Sequence, residues 1–179
     1  METLEMPVEA LNALPYSARA LVVLDSEPAK SRWLEGLMGA PGKHYGLVSE
    51  DTLLAGFSVT DNLRLPFLYH GLPPGTVDAD VRYLSALAGI DWHCVREKSL
   101  AEASRLERLQ VSFLQAAIRR PEILFFDQLF ERLGASDRLR AAKMIQAYMT
   151  LFPLRRTVYV GLIAPPVELY AATIILEQA

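Results

Sequence analysis

The residue best placed to do chemistry is Asp127, which ends the apolar run Ile-Leu-Phe-Phe at 123–126. A run of that length without polar alternation reads as a strand covered on both faces, as in a parallel sheet between helices. A carboxylate at the carboxyl end of such a strand lies where open α/β sheets bind their ligands. The plainer reading is an Asp that closes a strand and opens a turn. Lys30–Ser31 has the types to hold a phosphate and a magnesium ion. A solvated lysine and a helix-capping serine explain the same pair and are the preferred reading, because motif fragments often match by chance. His93–Cys94 is the one adjacent imidazole and thiol. Neighbours in sequence do not face each other on a helix, so it reads as no reactive pair. Asp78 and Asp80 read as favourable charge at a helix N-terminus. No catalytic triad, paired-carboxylate site or metal cluster competes with these groups.

Apolar spacing predicts the elements that must position them. Residues 19–25, with Ala-Leu-Val-Val-Leu inside, read as a buried strand, and 30–39 as a helix with Trp33, Leu34, Leu37 and Met38 inward and Gly39 as its cap. A short strand follows at 45–48 and a loop at 49–54. From Ser58 the pattern turns helical. Residues 61–69 are broken by Pro66, Pro73–Pro74–Gly75 form a turn, and 77–88 carry Val81, Leu84, Leu87 and Ala88 on one face. Ser99 with Glu102 and Ser104 with Glu107 are both capping-box patterns, so a helix starts near one of them. It runs to Arg120 with Leu106, Leu109, Phe113, Leu114, Ala117 and Ile118 buried, and Pro121 stops it. A helix over about 137–150, with Leu139, Ala142, Ile145, Tyr148 and Met149 inward, precedes strands at 158–162 and 173–176. Residues 1–18 read as an irregular lead-in. The order predicts an α/β layered domain with a largely parallel sheet and a helical insert.

Composition narrows the function classes. At 179 residues, 51% of them hydrophobic, the chain suits one globular domain with a sizeable core. A net charge of −3, with Arg119–Arg120 and Arg155–Arg156 as the only local basic groups, gives nucleic acid no footprint. One cysteine allows no internal disulfide and fits a reducing compartment. Glu2, Glu5 and Glu9 make the N-terminus unlike a signal peptide, so a cytoplasmic location is expected. Residues 157–176 are mostly apolar and follow Arg155–Arg156, as a membrane anchor would. Pro165–Pro166 and Glu168 interrupt them, so two strands around a turn are expected instead.

The segment order over residues 19–177 resembles the nucleotide-binding domain of ABC transporters. Ser-Val-Thr-Asp-Asn-Leu at 58–63 looks like the segment after that family's Q-loop, and Gln115 to Asp127 like its run from signature helix into Walker B. The resemblance implies a P-loop NTPase-like sheet with helices on both faces, in a single domain over 1–179. Its helical subdomain, at about 58–118, would dock on a membrane-spanning partner. Only about ten residues separate Gly39 from Ser49, where the family has an antiparallel β-subdomain that helps hold adenine, so that part should be reduced.

The same resemblance implies that the nucleotide machinery is degenerate. A phosphate-wrapping loop needs glycines, because the backbone must approach closely with its N–H groups inward. Aligned on Lys30–Ser31, Leu24, Glu27 and Ala29 stand where the family has glycine, and Pro28 removes a donor. Asp25 and Glu27 would sit beside a phosphate, where a like pair at 4 Å costs about 4 kcal/mol at an effective dielectric of 20. Ser49 replaces the Q-loop glutamine. Ala103-Ser-Arg-Leu-Glu107 replaces Leu-Ser-Gly-Gly-Gln, with Arg105 read as an exposed helix-surface arginine. Gln128 stands at the catalytic glutamate, and an amide cannot take a proton from water, help worth about 10² to 10⁴ in rate. Leu162 stands at the switch histidine.

With every motif damaged, the expectation is a subunit that neither binds ATP tightly nor hydrolyses it and needs no cofactor. It would serve as a docking or regulatory partner of an ABC permease, an active ATP-binding subunit or a second copy of itself. It would be cytoplasmic, at the inner membrane through the permease. One alternative is a weak nucleotide hydrolase or sensor using the residual set Lys30, Ser31 and Asp127. Another is a stand-alone interaction module.

Overall fold

Five apolar runs form strands β1 (Arg19–Val23), β2 (Tyr45–Val48), β3 (Ile123–Asp127), β4 (Arg156–Gly161) and β5 (Ile174–Glu177). In the computed structural model, which describes residues 11, 13–39, 44–69, 74–172 and 174–177, they lie in one sheet in the order β2-β3-β4-β1-β5. Every neighbouring pair is parallel. Parallel neighbours require crossovers. These are supplied by α1 (Glu27–Met38), α2 (Val59–Tyr69), α3 (Pro74–Ala88), α4 (Trp92–Arg96), α5 (Arg105–Ile118) and α6 (Ala135–Leu151).

The alternation of side chains along the strands divides the core in two. Ile123, Phe125, Val158, Val160, Ala20 and Val22 point to one face and meet Leu34 and Leu37 of α1, with Leu11 and Leu14 of the lead-in. Leu124, Phe126, Leu21 and Tyr159 point to the other, against α5, α6 and the helices between β2 and α5. In register, Asp127 lies opposite Val160, so the last residue of β3 is held level with the end of β4. The run 157–176, read as two strands around a turn, forms β4, a turn and β5. Among the described residues no helix is long and apolar enough to cross a membrane.

Several helix details differ from the expectation. Helix α1 begins at Glu27 rather than near Lys30. Helix α2 is continuous through Pro66. Proline removes the N–H that would bond the carbonyl of Asn62, and the side chain of Gln115 donates to that carbonyl at 2.7 Å instead. The face of α6 is rotated: Ala141, Met144, Ile145, Ala147 and Tyr148 are buried, whereas Leu139 is 61% exposed. Tyr148, inward as expected, donates its hydroxyl to the carbonyl of Pro121 at 2.8 Å. Leu87 of α3 and Met38 of α1 are exposed as well. The expected stripe of α5 is buried at all six positions. The expected turn at 73–75 lies partly outside the described residues, and Pro74 and Gly75 begin α3.

Candidate functional site

The connection between β1 and α1 is only residues 24–26. Ser26 occupies the N-cap in extended conformation, yet its side chain makes no capping bond and donates to Asp25 Oδ1 at 3.0 Å. Pro28 sits in the first turn, and the N–H of Lys30 already donates to the Ser26 carbonyl at 3.0 Å. A helical turn therefore stands where the resemblance implies a wide, glycine-lined loop. Pro28 lies inside it without an N–H, and that of Lys30 is spent within the helix.

Lys30, Leu34 and Leu37 are the buried residues of α1, and their spacing places them on one stripe. Lys30 is therefore not the solvated lysine expected. It is 4% exposed. Its stem runs along the apolar face and delivers the ammonium to the carboxyl edge of the sheet. There Nζ lies 2.5 Å from Asp127 Oδ1 and 2.8 Å from Glu27 Oε1. Burial alone would lower the pKa of Lys30; the Asp127 and Glu27 carboxylates override it and raise the pKa.

Both carboxylates have further partners. Asp127 Oδ2 accepts from Ser49 Oγ at 3.2 Å, and Ser49 is positioned by the bond from its N–H to Ser112 Oγ at 3.0 Å. Glu27 Oε2 accepts from Gln128 Nε2 at 2.7 Å. The Lys30 hydrogen bond, against desolvation, holds the Glu27 carboxyl below the usual carboxylate range. Gln128 adopts φ 45°, a left-handed conformation uncommon outside glycine.

Opposite this cluster stands Glu50, in the short 3₁₀ turn Glu50–Thr52 after β2. It pairs with Arg105 and, at 2.7 Å, with Arg108 Nε. Arg105 is therefore half-buried and ion-paired rather than a free surface group, and its Nε is buried without a partner. The start of α5 is closed locally. Ser104 Oγ accepts from the Glu107 N–H at 3.2 Å, and Glu107 Oε2 accepts from the Ser104 N–H at 2.8 Å. Between the two groups lies a polar cavity of about 510 Å³, lined by Lys30, Ser49, Arg105, Asp127, Gln128 and Leu162 among others. Five carboxylates line it against three cations. A smaller, apolar hollow of about 210 Å³ near Tyr83, Ile118 and Phe152 offers only the paired Asp80 and Arg120 as charges.

The fold thus brings together Lys30, Asp127, Gln128 and Leu162, with Ser49 and Arg105. It does not bring Ser31, which is exposed on α1, lines no part of the cavity and lies inside the helix rather than at its cap. Glu50, Arg108 and Glu131 were not legible as parts of the site. Arg105 and Arg108, three apart on one helix face and facing an acid, were the available signal. Asp78 and Asp80 lie beyond the first turn of α3, which begins at Pro74, and pair with Arg64 and Arg120 rather than with the helix terminus. Cys94 is exposed, and its thiol pKa is pushed up by Asp91, the opposite of activation.

The topology and the crossover helices define an α/β fold of the P-loop, ABC-ATPase-like type. The chain is similar in structure to cbiO1 from Clostridium perfringens, described as part of the ABC transporter complex cbiONQ. The TM-score is 0.66 at 12% identity, over 83% of this chain and 68% of that one. At this identity the likeness is one of fold. No family model matches the sequence, and no curated protein matches it.

Proposed function

We propose that this chain is a degenerate ABC-type subunit that retains the scaffold and docking surfaces of a transporter ATPase but neither binds ATP tightly nor hydrolyses it. It acts as a docking or regulatory partner of a permease or of an active ATP-binding subunit, on the cytoplasmic side. The observation that carries the reading is the position of Lys30, whose ammonium is held between Asp127 and Glu27 at the edge of the sheet.

Magnesium-triphosphate does not fit the groups present. Both oxygens of Asp127 are engaged, one by Lys30 and one by Ser49. The helical turn before Lys30 spends the Lys30 N–H, which a phosphate would need, and Pro28 offers none. An excess of carboxylates around the cavity opposes a polyanion. Gln128 donates to Glu27 and has no basic atom with which to activate water. The alternative, a weak hydrolase or sensor working through Lys30, Ser31 and Asp127, is disfavoured by the exposure of Ser31 on the helix.

Isothermal calorimetry of the purified chain with Mg-ATP tests the reading, and no saturable heat at millimolar nucleotide is expected. Micromolar binding with phosphate release would end it. Affinity purification from membrane extracts tests the docking role: recovery of a permease or ATP-binding subunit is expected, and recovery of neither favours a stand-alone module.

A further inference from the structure

We infer that Glu27 is a built-in occupant of an oxyanion site centred on Lys30: its carboxylate fills the position of a phosphate-like group, and removing that one charge opens the site. The inference rests on the proposed function in one respect, that the unmodified chain holds no nucleotide tightly.

The two carboxylates on Lys30 are not equivalent. Asp127 belongs to the wall of the cavity: its side chain is 9% exposed, and it is fixed at the end of β3 with Ser49 on its second oxygen. Glu27 belongs to the contents. Its side chain is 56% exposed, and it meets donors from two separate elements, Lys30 Nζ at 2.8 Å and Gln128 Nε2 at 2.7 Å. A side-chain ammonium from α1 and an amide from the loop after β3 thus converge on one pair of oxygens, as they would on a bound anion. Gln128 holds its amide there from a left-handed backbone, a conformation of the kind that persists only where surrounding contacts impose it.

Charge around Lys30 explains why Glu27 closes the site. Glu27, Lys30 and Asp127 together carry one net negative charge, so an approaching anion meets repulsion. Without Glu27 the remaining pair is neutral, Lys30 has an unfilled donor and the Gln128 amide is free. Arg105, whose guanidinium pairs with Glu50, and Arg132 line the same cavity and supply its remaining positive charge. The cavity, at about 510 Å³, admits a phosphate or a pyrophosphate. A plain i, i+3 salt bridge on a helix would predict no new binding when it is lost.

The test is calorimetric titration of inorganic phosphate and pyrophosphate, at constant ionic strength, into the unmodified chain, Glu27→Gln, Glu27→Ala and Glu27→Gln combined with Lys30→Met. Both single variants should bind pyrophosphate about tenfold or more tightly than the unmodified chain, in keeping with the loss of one like charge at contact distance. The double variant should lose the gain. Folded single variants that bind no better overturn the inference, as does a gain that survives Lys30→Met. Loss of cooperative melting in both single variants also overturns it, because Glu27 would then be a structural brace. Micromolar Mg-ATP binding by the unmodified chain refutes the proposed function instead, and the ratio between it and the Glu27 variants still decides the role of Glu27.

Discussion

Helices α1 and α5 both begin beside the polar cavity, and both begin with a serine at the N-cap, yet they are closed in opposite ways. At α5 the closure is local: Ser104 and Glu107 exchange two hydrogen bonds across one turn. At α1 the serine makes no capping bond to the helix. Closure there depends on residues about a hundred positions away, with Lys30 on Asp127 and Glu27 on Gln128. The contrast teaches that a terminus satisfied within four residues can survive alone, whereas one satisfied across the sheet depends on the whole fold being assembled.

The largest effect expected from breaking this contrast is at Asp127. Replacing it with alanine leaves a buried ammonium with one exposed partner, and removal of one member of a buried pair typically destabilises by about 3 to 5 kcal/mol. Urea denaturation should show a loss near the lower end of that range, since Glu27 remains on Lys30. Replacing Lys30 with methionine should be milder, because the stem lies on an apolar stripe with Leu34 and Leu37 and Asp127 keeps Ser49. If Lys30→Met proved as damaging as Asp127→Ala, the loss would lie in the pair itself and not in an ammonium left without its buried partner.

The next effect compares the two serines directly. Ser104→Ala removes a capping-box acceptor and should destabilise by about 1 kcal/mol. Ser26→Ala should change stability by only a few tenths of a kcal/mol, about the level of an ordinary surface substitution, since the Ser26 hydroxyl serves Asp25 rather than the helix. Thermal or urea melts of the two variants side by side measure the difference, and equal losses would erase the distinction.

The same distinction sets what was legible in the sequence. The capping box of α5 and its apolar stripe are local patterns, and the structure reproduces them at Ser104, Glu107 and all six stripe positions. Strand β3 was legible for the same reason, as an apolar run too short for a helix. Lys30 was misread although its spacing to Leu34 and Leu37 lay in plain view. A lysine on an apolar stripe is stable only with a buried partner, and that partner stands at position 127. The start of α1 at Glu27 had its own signals, an acid and Pro28 in the first turn. Leu139 was misassigned because the spacing of α6 allowed more than one buried face: Ile145 and Tyr148 belong to both, and Ala141 and Met144 complete the face that is buried.

The smallest effect is the pH response of Glu27, and its sign follows from the direction of its shift. Lys30 holds the Glu27 carboxyl below its ordinary pKa in the fold. The unfolded chain then binds the proton more readily, so the contribution of Glu27 is complete above the usual carboxylate range and is lost as pH falls through the lowered value. Exposure of the Glu27 side chain to solvent keeps this contribution small. Urea midpoints of the unmodified chain and Glu27→Gln should therefore differ most near neutrality and converge on acidification. Lys30 responds on the other side: its raised pKa gives a contribution present below the ordinary lysine range and lost as pH rises through the elevated value. A Glu27→Gln variant more stable than the unmodified chain near neutrality, with the gap closing on acidification, would mean that Glu27 repels its surroundings in the fold, and α1 would then need another explanation for how it is closed.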